Sequence, residues 1–254
     1  MSELILSTSP VEQKIFIPWK ATPEDCIQFL KPAFTEVISG ISRAPLTSQF
    51  ERSIAKAFNK LCSAYAEPHR KYHTLNHIGD MILQIQNAPM EPVAKMILSI
   101  AAFYHDYVYT IEPKGYDYNE PFSALKWIED SYVLEFDNET TQRVYCMILA
   151  TWYSKGVKPI EPIGSVLQDI DFAALGYSLE EYKEINAKVV LELGGVNPTP
   201  EFFQKRSLFL NSLLQKEFIF NTDHYRELYD KQAKENITWE LSNFLTLYNQ
   251  NPTT

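Results

Sequence analysis

The sequence predicts an all-α fold organised as one domain. Three observations carry this. Only eight glycines occur in 254 residues, and Leu, Ala, Glu, Lys and Gln recur at helical spacing over long stretches. No segment makes a convincing strand. Residues 1–20 read as a polar, proline-containing lead-in and 21–250 as a single helical domain, without internal repeats, low-complexity tracts or an interdomain linker.

The elements follow in order. Thr22-Pro23-Glu24-Asp25 has the form of a helix start, with Thr22 as N-cap and Pro23 at the first helical position. Apolar positions then recur from Ile27 to Ile38. A second helix is expected over 47–66, with Phe50, Ile54, Ala57, Phe58, Leu61 and Tyr65 on one face, stopped by Pro68. A third is expected over 75–86, entered through a turn at 71–74. Glu91-Pro92 opens a fourth that is almost wholly apolar through Tyr104, hence central. Lys114-Gly115 marks a loop, Asn119 caps a helix through Tyr132, and another spans 138–152. After a Pro/Gly-containing connection at 156–162, helices are expected at 165–173, 178–194, 200–217 and 222–248.

Bulk composition excludes several function classes. The net charge of −9 and the scattered Lys and Arg give no broad attraction for polymeric nucleic acid or anionic lipid. A small phosphorylated ligand remains compatible, because a bound metal supplies positive charge locally. Cys26, Cys62 and Cys146 are too few and too scattered for a disulfide framework or a zinc knuckle, and read as buried reduced thiols. The N-terminus lacks the pattern of a signal peptide, and the apolar run 96–104 is too short to span a bilayer. A cytoplasmic protein without membrane partners is the expectation.

Four of the five histidines fall between positions 69 and 105, in Arg70-Lys-Tyr-His73-Thr-Leu-Asn-His77 and Phe103-Tyr-His105-Asp106. His73 and His77 share one face if both are helical. His105 and Asp106 are about 100° apart around a helix, so both reach an ion seated over the edge between them. With the later Asp169-Ile-Asp171, the set supplies nitrogen and oxygen donors suited to one divalent Zn, Mn, Fe, Co or Ni. The competing reading is an ordinary network of hydrogen bonds at helix ends. His69 and His224 read as surface residues.

In this order the residues resemble the signature of the HD-domain metal-dependent phosphohydrolases, and most of all a group of largely uncharacterised bacterial members. The likeness rests on Arg70-x-Tyr72-His73, His77-Ile78, Phe103-x-His105-Asp106, Asn119-Glu120 with Ser123-Ala124, and Asp169-x-Asp171 with Leu175-Gly176. The Arg206 region and Ala233-x-x-Asn236 extend it, so that it covers roughly 45–245. It implies a single HD-domain-like helical bundle with His77, His105, Asp106 and Asp171 as metal ligands. Asp169 and Asp171 point nearly oppositely on a helix, so they do not share an ion.

The stretch from Tyr72 to His77 is also similar to the corresponding part of the cyclic-nucleotide phosphodiesterases, which implies that His73 is a general acid. The combined resemblance implies hydrolysis of a small phosphate ester, a nucleotide or other phosphometabolite, through a metal-activated water. Asp106 or Asp169 would take the water's proton, and His73 or Arg70 would assist the departing oxygen. Arg206 joins the substrate contacts by the same likeness. The chain departs from the pattern over 151–156, Thr-Trp-Tyr-Ser-Lys-Gly, where relatives carry a histidine. Lys155 is a candidate phosphate contact there, its alternative being an exposed lysine before a glycine turn. The departure keeps open a catalytically inactive metal- and nucleotide-binding sensor or scaffold.

Overall fold

The computed structural model describes residues 17–111 and 118–249, which are helical with no strand among them. The helices are α1 (Pro23–Ile41), α2 (Ser48–Tyr65), α3 (Leu75–Asn87), α4 (Pro92–Tyr104), α5 (Asn119–Val133), α6 (Asn138–Ala150), α7 (Pro162–Asp171), α8 (Leu179–Gly194) and α9 (Pro200–Leu214). The short α10 (Asp223–Tyr225) leads through a π turn (Arg226–Asp230) into α11 (Lys231–Asn249). No described helix is long and apolar enough to cross a membrane.

Local chemistry sets the boundaries. Thr22 and Asp25 form a reciprocal capping box on α1 with Pro23 at its start. Ser178 and Glu181 do the same for α8. Asn119 is not the cap of α5. Its amide instead ties Thr110, accepting from the Thr110 backbone N–H at 3.0 Å, while Tyr118 takes the cap position. Helix α6 stops at Ala150, where the Thr151 hydroxyl donates to Ile148 O at 2.8 Å. The expected 222–248 helix is interrupted by the π turn. There Gly176 lies so close that an added Cβ would meet Tyr229 Cβ at 2.3 Å. The expected loop at Lys114-Gly115 lies outside the described residues.

The main core cluster runs from Cys26 in α1 to Phe244 in α11, and a small second one gathers Tyr72, Ala174 and Ile185. Helix α4 is its axis, with Ile97 through Tyr104 all buried, and α1, α3, α6 and α7 pack around it. The end of the expected lead-in belongs to the fold. Pro18–Lys20 forms a 3-10 turn against α3, and Trp19 stacks on Tyr72 with ring centroids 5.3 Å apart. This packing brings the start of α3, the end of α4 and the end of α7 to one point.

Candidate metal centre

Each element delivers one donor to that point. His77 lies in the first turn of α3, whose N-cap Thr74 accepts the Asn76 N–H. His105 is the C-cap of α4, and Asp171 is the last residue of α7. One ligand atom from each lies within 4.8 Å of the others, and both histidines are buried. His77 Nε2 is 3.1 Å and His105 Nε2 is 3.7 Å from Asp171 Oδ1. Asp106 Oδ2 stands 2.9 Å from His105 Nε2 and 3.9 Å from His73 Nε2, at the edge of the group.

The orientation of the lone pairs tests whether a cation fits. His105 Nδ1 faces Ala102 O at 2.9 Å, which fixes the proton on Nδ1 and leaves the Nε2 lone pair directed into the group. Among the described residues His105 Nε2 finds no hydrogen-bond partner, although it is fully buried. A buried acceptor directed at carboxylate oxygens is costly unless positive charge lies between them. His77 Nδ1 is also buried without a partner there. The donor set of two imidazoles and a carboxylate, with a second carboxylate adjacent, fits a divalent transition metal.

The field of the site favours positive charge at this point, a second proton on His105 or a cation in its place. Burial opposes protonation of His105, but Asp106 and then Asp171 outweigh it and raise its pKa well above the ordinary value. Burial likewise opposes the charged form of Asp171, yet His105 and His77 hold its pKa far below the usual carboxylate range. Asp106 is depressed to about 2, its desolvation being outweighed by His105 and His73. For His77 burial prevails over Asp171 and lowers its pKa.

His105, Asp106 and Asp171 line a cavity of about 560 Å³, with His73, Tyr153 and Arg206 also on its wall. His73 is held from behind: its Nδ1 meets Glu192 Oε1, leaving Nε2 toward the cavity. Glu192 Oε2 also accepts the backbone N–H groups of Lys71, Tyr72 and His73 at 2.6, 2.8 and 3.1 Å. Burial lowers the pKa of His73, but Asp106 and Glu192 outweigh it, with a net rise. The Tyr153 hydroxyl donates to Asp171 Oδ2 at 2.9 Å, in the stretch where the sequence lacks the histidine.

Three sequence expectations are corrected. Arg70 is not a phosphate ligand: its side chain is 0% exposed. Its guanidinium donates to Asp106 O at 2.7 Å and Tyr107 O at 2.9 Å, and pairs with Glu67. It fastens the His105-Asp106 turn to the His73 turn. Asp169 does not serve as base, because it accepts from the backbone and side chains of Asn221 and Thr222 and so tethers the segment that enters α10. Lys155 is exposed, lies over the Trp152 ring and does not line the cavity. Gly156 beyond it is left-handed at φ 63°, the glycine turn of the alternative reading.

Glu192 and Tyr153 are the residues that sequence reasoning missed. Neither stands in a motif, and each reaches the site only through tertiary packing. No protein-family model matches the chain, nor does any curated protein or solved structure.

Proposed function

We propose that this chain is a metal-dependent phosphohydrolase that cleaves a small phosphate ester, a nucleotide or another phosphometabolite. The observation that carries the reading is the convergence of His77, His105 and Asp171 beside a cavity that His105, Asp171 and His73 line. The resemblance to HD-domain enzymes points to the same residues.

A divalent ion held there would supply Lewis acidity to activate water and to take up charge from a phosphoryl oxygen. The chain supplies the proton transfers. Asp106, ionised and lining the cavity, accepts the proton of the attacking water. His73, as imidazolium, donates from Nε2 to the leaving oxygen, while Glu192 stays ionised and fixes the ring through Nδ1. The ester P–O bond breaks, water's oxygen joins phosphorus, and the alcohol departs with the proton from His73.

The test is elemental analysis of protein purified without a His-tag, followed by phosphate release from a panel of phosphate esters. About one metal ion per chain is expected, lost in His105→Ala together with turnover. No metal after reconstitution with Mn, Fe, Co, Ni and Zn would end this reading. A second reading, a sensor that binds without turnover, is favoured by one observation: Arg70 is committed to backbone carbonyls and gives the phosphate no guanidinium. Stoichiometric metal with ester binding and no phosphate release would select it.

A further inference from the structure

The cavity has a second polar pole, formed by α8 and α9. Arg206 clamps the Glu240 carboxylate through Nε at 2.9 Å and Nη2 at 3.2 Å, and Nη2 also donates to Asn186 Oδ1 at 3.0 Å. Glu240 is fully buried and takes the Tyr182 hydroxyl as well. The clamp uses neither Nη1 of Arg206 nor Nδ2 of Asn186, and both residues line the cavity. Among the described residues, these two NH2 groups are the donors that the clamp leaves to the cavity.

Charge decides what these donors recognise. Arg206 is neutralised by Glu240, and the other lysine or arginine on the wall, Lys205, pairs with Glu201 at 2.7 Å. A second phosphate or carboxylate would leave water for a pole with little net charge, which is unfavourable. A neutral acceptor such as a ring carbonyl sheds far less solvation. Between the poles the wall is apolar, from Phe172, Ile185, Val189 and Phe209. Helix α8 sets the spacing. Asn186 and Glu192, the carboxylate behind His73, are separated by roughly 9 Å of rise along the helix. The apolar wall suits a ring lying between a phosphate and an acceptor.

We propose that the substrate is a phosphomonoester of a largely apolar ring with a neutral hydrogen-bond acceptor on the edge away from the phosphate, read by Asn186 and Arg206. For the phosphate end this rests on the phosphohydrolase reading.

The probes are 4-acetylphenyl phosphate and 4-ethylphenyl phosphate, which differ in the carbonyl. Calorimetry on the Mn-loaded full chain measures binding, and phosphate release is followed separately. The wild type should prefer the acetyl probe about ten-fold. Asn186→Asp keeps the oxygen that Arg206 uses and turns the donor into an acceptor, so the preference should collapse. Arg206→Lys should reduce it too, and serves alone if Asn186→Asp does not fold. No preference in the wild type, a preference that survives every variant that folds, or no binding of either probe overturns the proposal. Selective binding without phosphate release would uphold it while removing the hydrolase reading. Release from both probes without preference would do the reverse.

Discussion

Glu192→Gln isolates the contact that makes His73 an acid. In the wild type one oxygen of Glu192 holds three backbone N–H groups and the other holds His73 Nδ1. Burial opposes its ionisation, but His73 first and the backbone donors next hold its pKa down at about 2. Glutamine has the same size, and its single oxygen can keep the backbone donors. Its NH2 group then faces Nδ1 and donates where the carboxylate accepted. The cationic ring loses a charge-assisted bond worth roughly 1.5–3 kcal/mol, while the neutral ring gains an ordinary one worth roughly 1 kcal/mol. The two effects add and lower the pKa by at least about one unit.

The sign is definite. A proton on His73 that was favoured by Glu192 is released at lower pH in the variant. The limb of the rate profile that falls as pH rises should therefore move down by about one unit or more. Above both pKa values turnover drops about ten-fold or more, and well below them the two proteins converge. Phosphate release between about pH 5 and 9 reads this, and the imidazole resonance of His73 gives the same shift independently of turnover. A loss of rate that is equal at every pH, or an unmoved His73 titration, would refute the pairing as the source of its acidity. Glu192→Ala differs in kind. It strands three backbone donors at roughly 1–3 kcal/mol each and should unfold the protein rather than retune it.

Three further outcomes are expected. Asp80 is buried and its pKa is raised from 3.8 to about 6, desolvation exceeding the help of the Tyr177 hydroxyl, 2.7 Å from each oxygen. The fold therefore favours its protonated form. That contribution is complete below pH 3.8 and is lost as pH rises through about 6, to a total of about 3 kcal/mol. Asp80→Asn should remove this slope and stabilise the protein at neutral pH, read by urea unfolding at acid and neutral pH; an unchanged slope contradicts the assignment. Tyr153→Phe frees Asp171 Oδ2 and should weaken metal affinity about 10–100-fold with the fold intact, by calorimetry. Equal affinity would deny the hydroxyl an orienting role. Arg70→Ala should cost about 3 kcal/mol or more through lost carbonyl contacts, without raising KM in the protein that remains folded. A raised KM at unchanged stability would return Arg70 to the phosphate.

The parts of the site that were legible in the sequence are those written locally. His77 stands four residues after His73, His105 precedes Asp106, and the helical period keeps Asp169 and Asp171 from sharing an ion while the family resemblance selects Asp171. Helix starts were legible for the same reason: Thr22 and Asp25 cap α1 across three residues. What failed depends on distant partners. Arg70 beside histidines reads as a cation for phosphate, but the carbonyls that consume it lie 36 and 37 residues away. Glu192 is one of several glutamates on α8, and only the packing across 119 residues places it behind His73.

The missing histidine after Thr151 shows what ligand counting leaves out. Counted as a ligand position, 151–156 is a deficit. Followed through its hydrogen bonds, it contains Tyr153, whose hydroxyl holds Asp171 Oδ2 so that Oδ1 turns to His77 and His105. A carboxylate with one oxygen committed to a donor has its remaining lone pairs aimed, whereas a free one must be ordered when the ion arrives. The same holds for Glu192 behind His73 and for Arg70 behind the Asp106 carbonyl. In this chain the histidines and aspartates supply the donors, and Glu192 on α8, Tyr153 after α6 and Arg70 after α2 decide where those donors point.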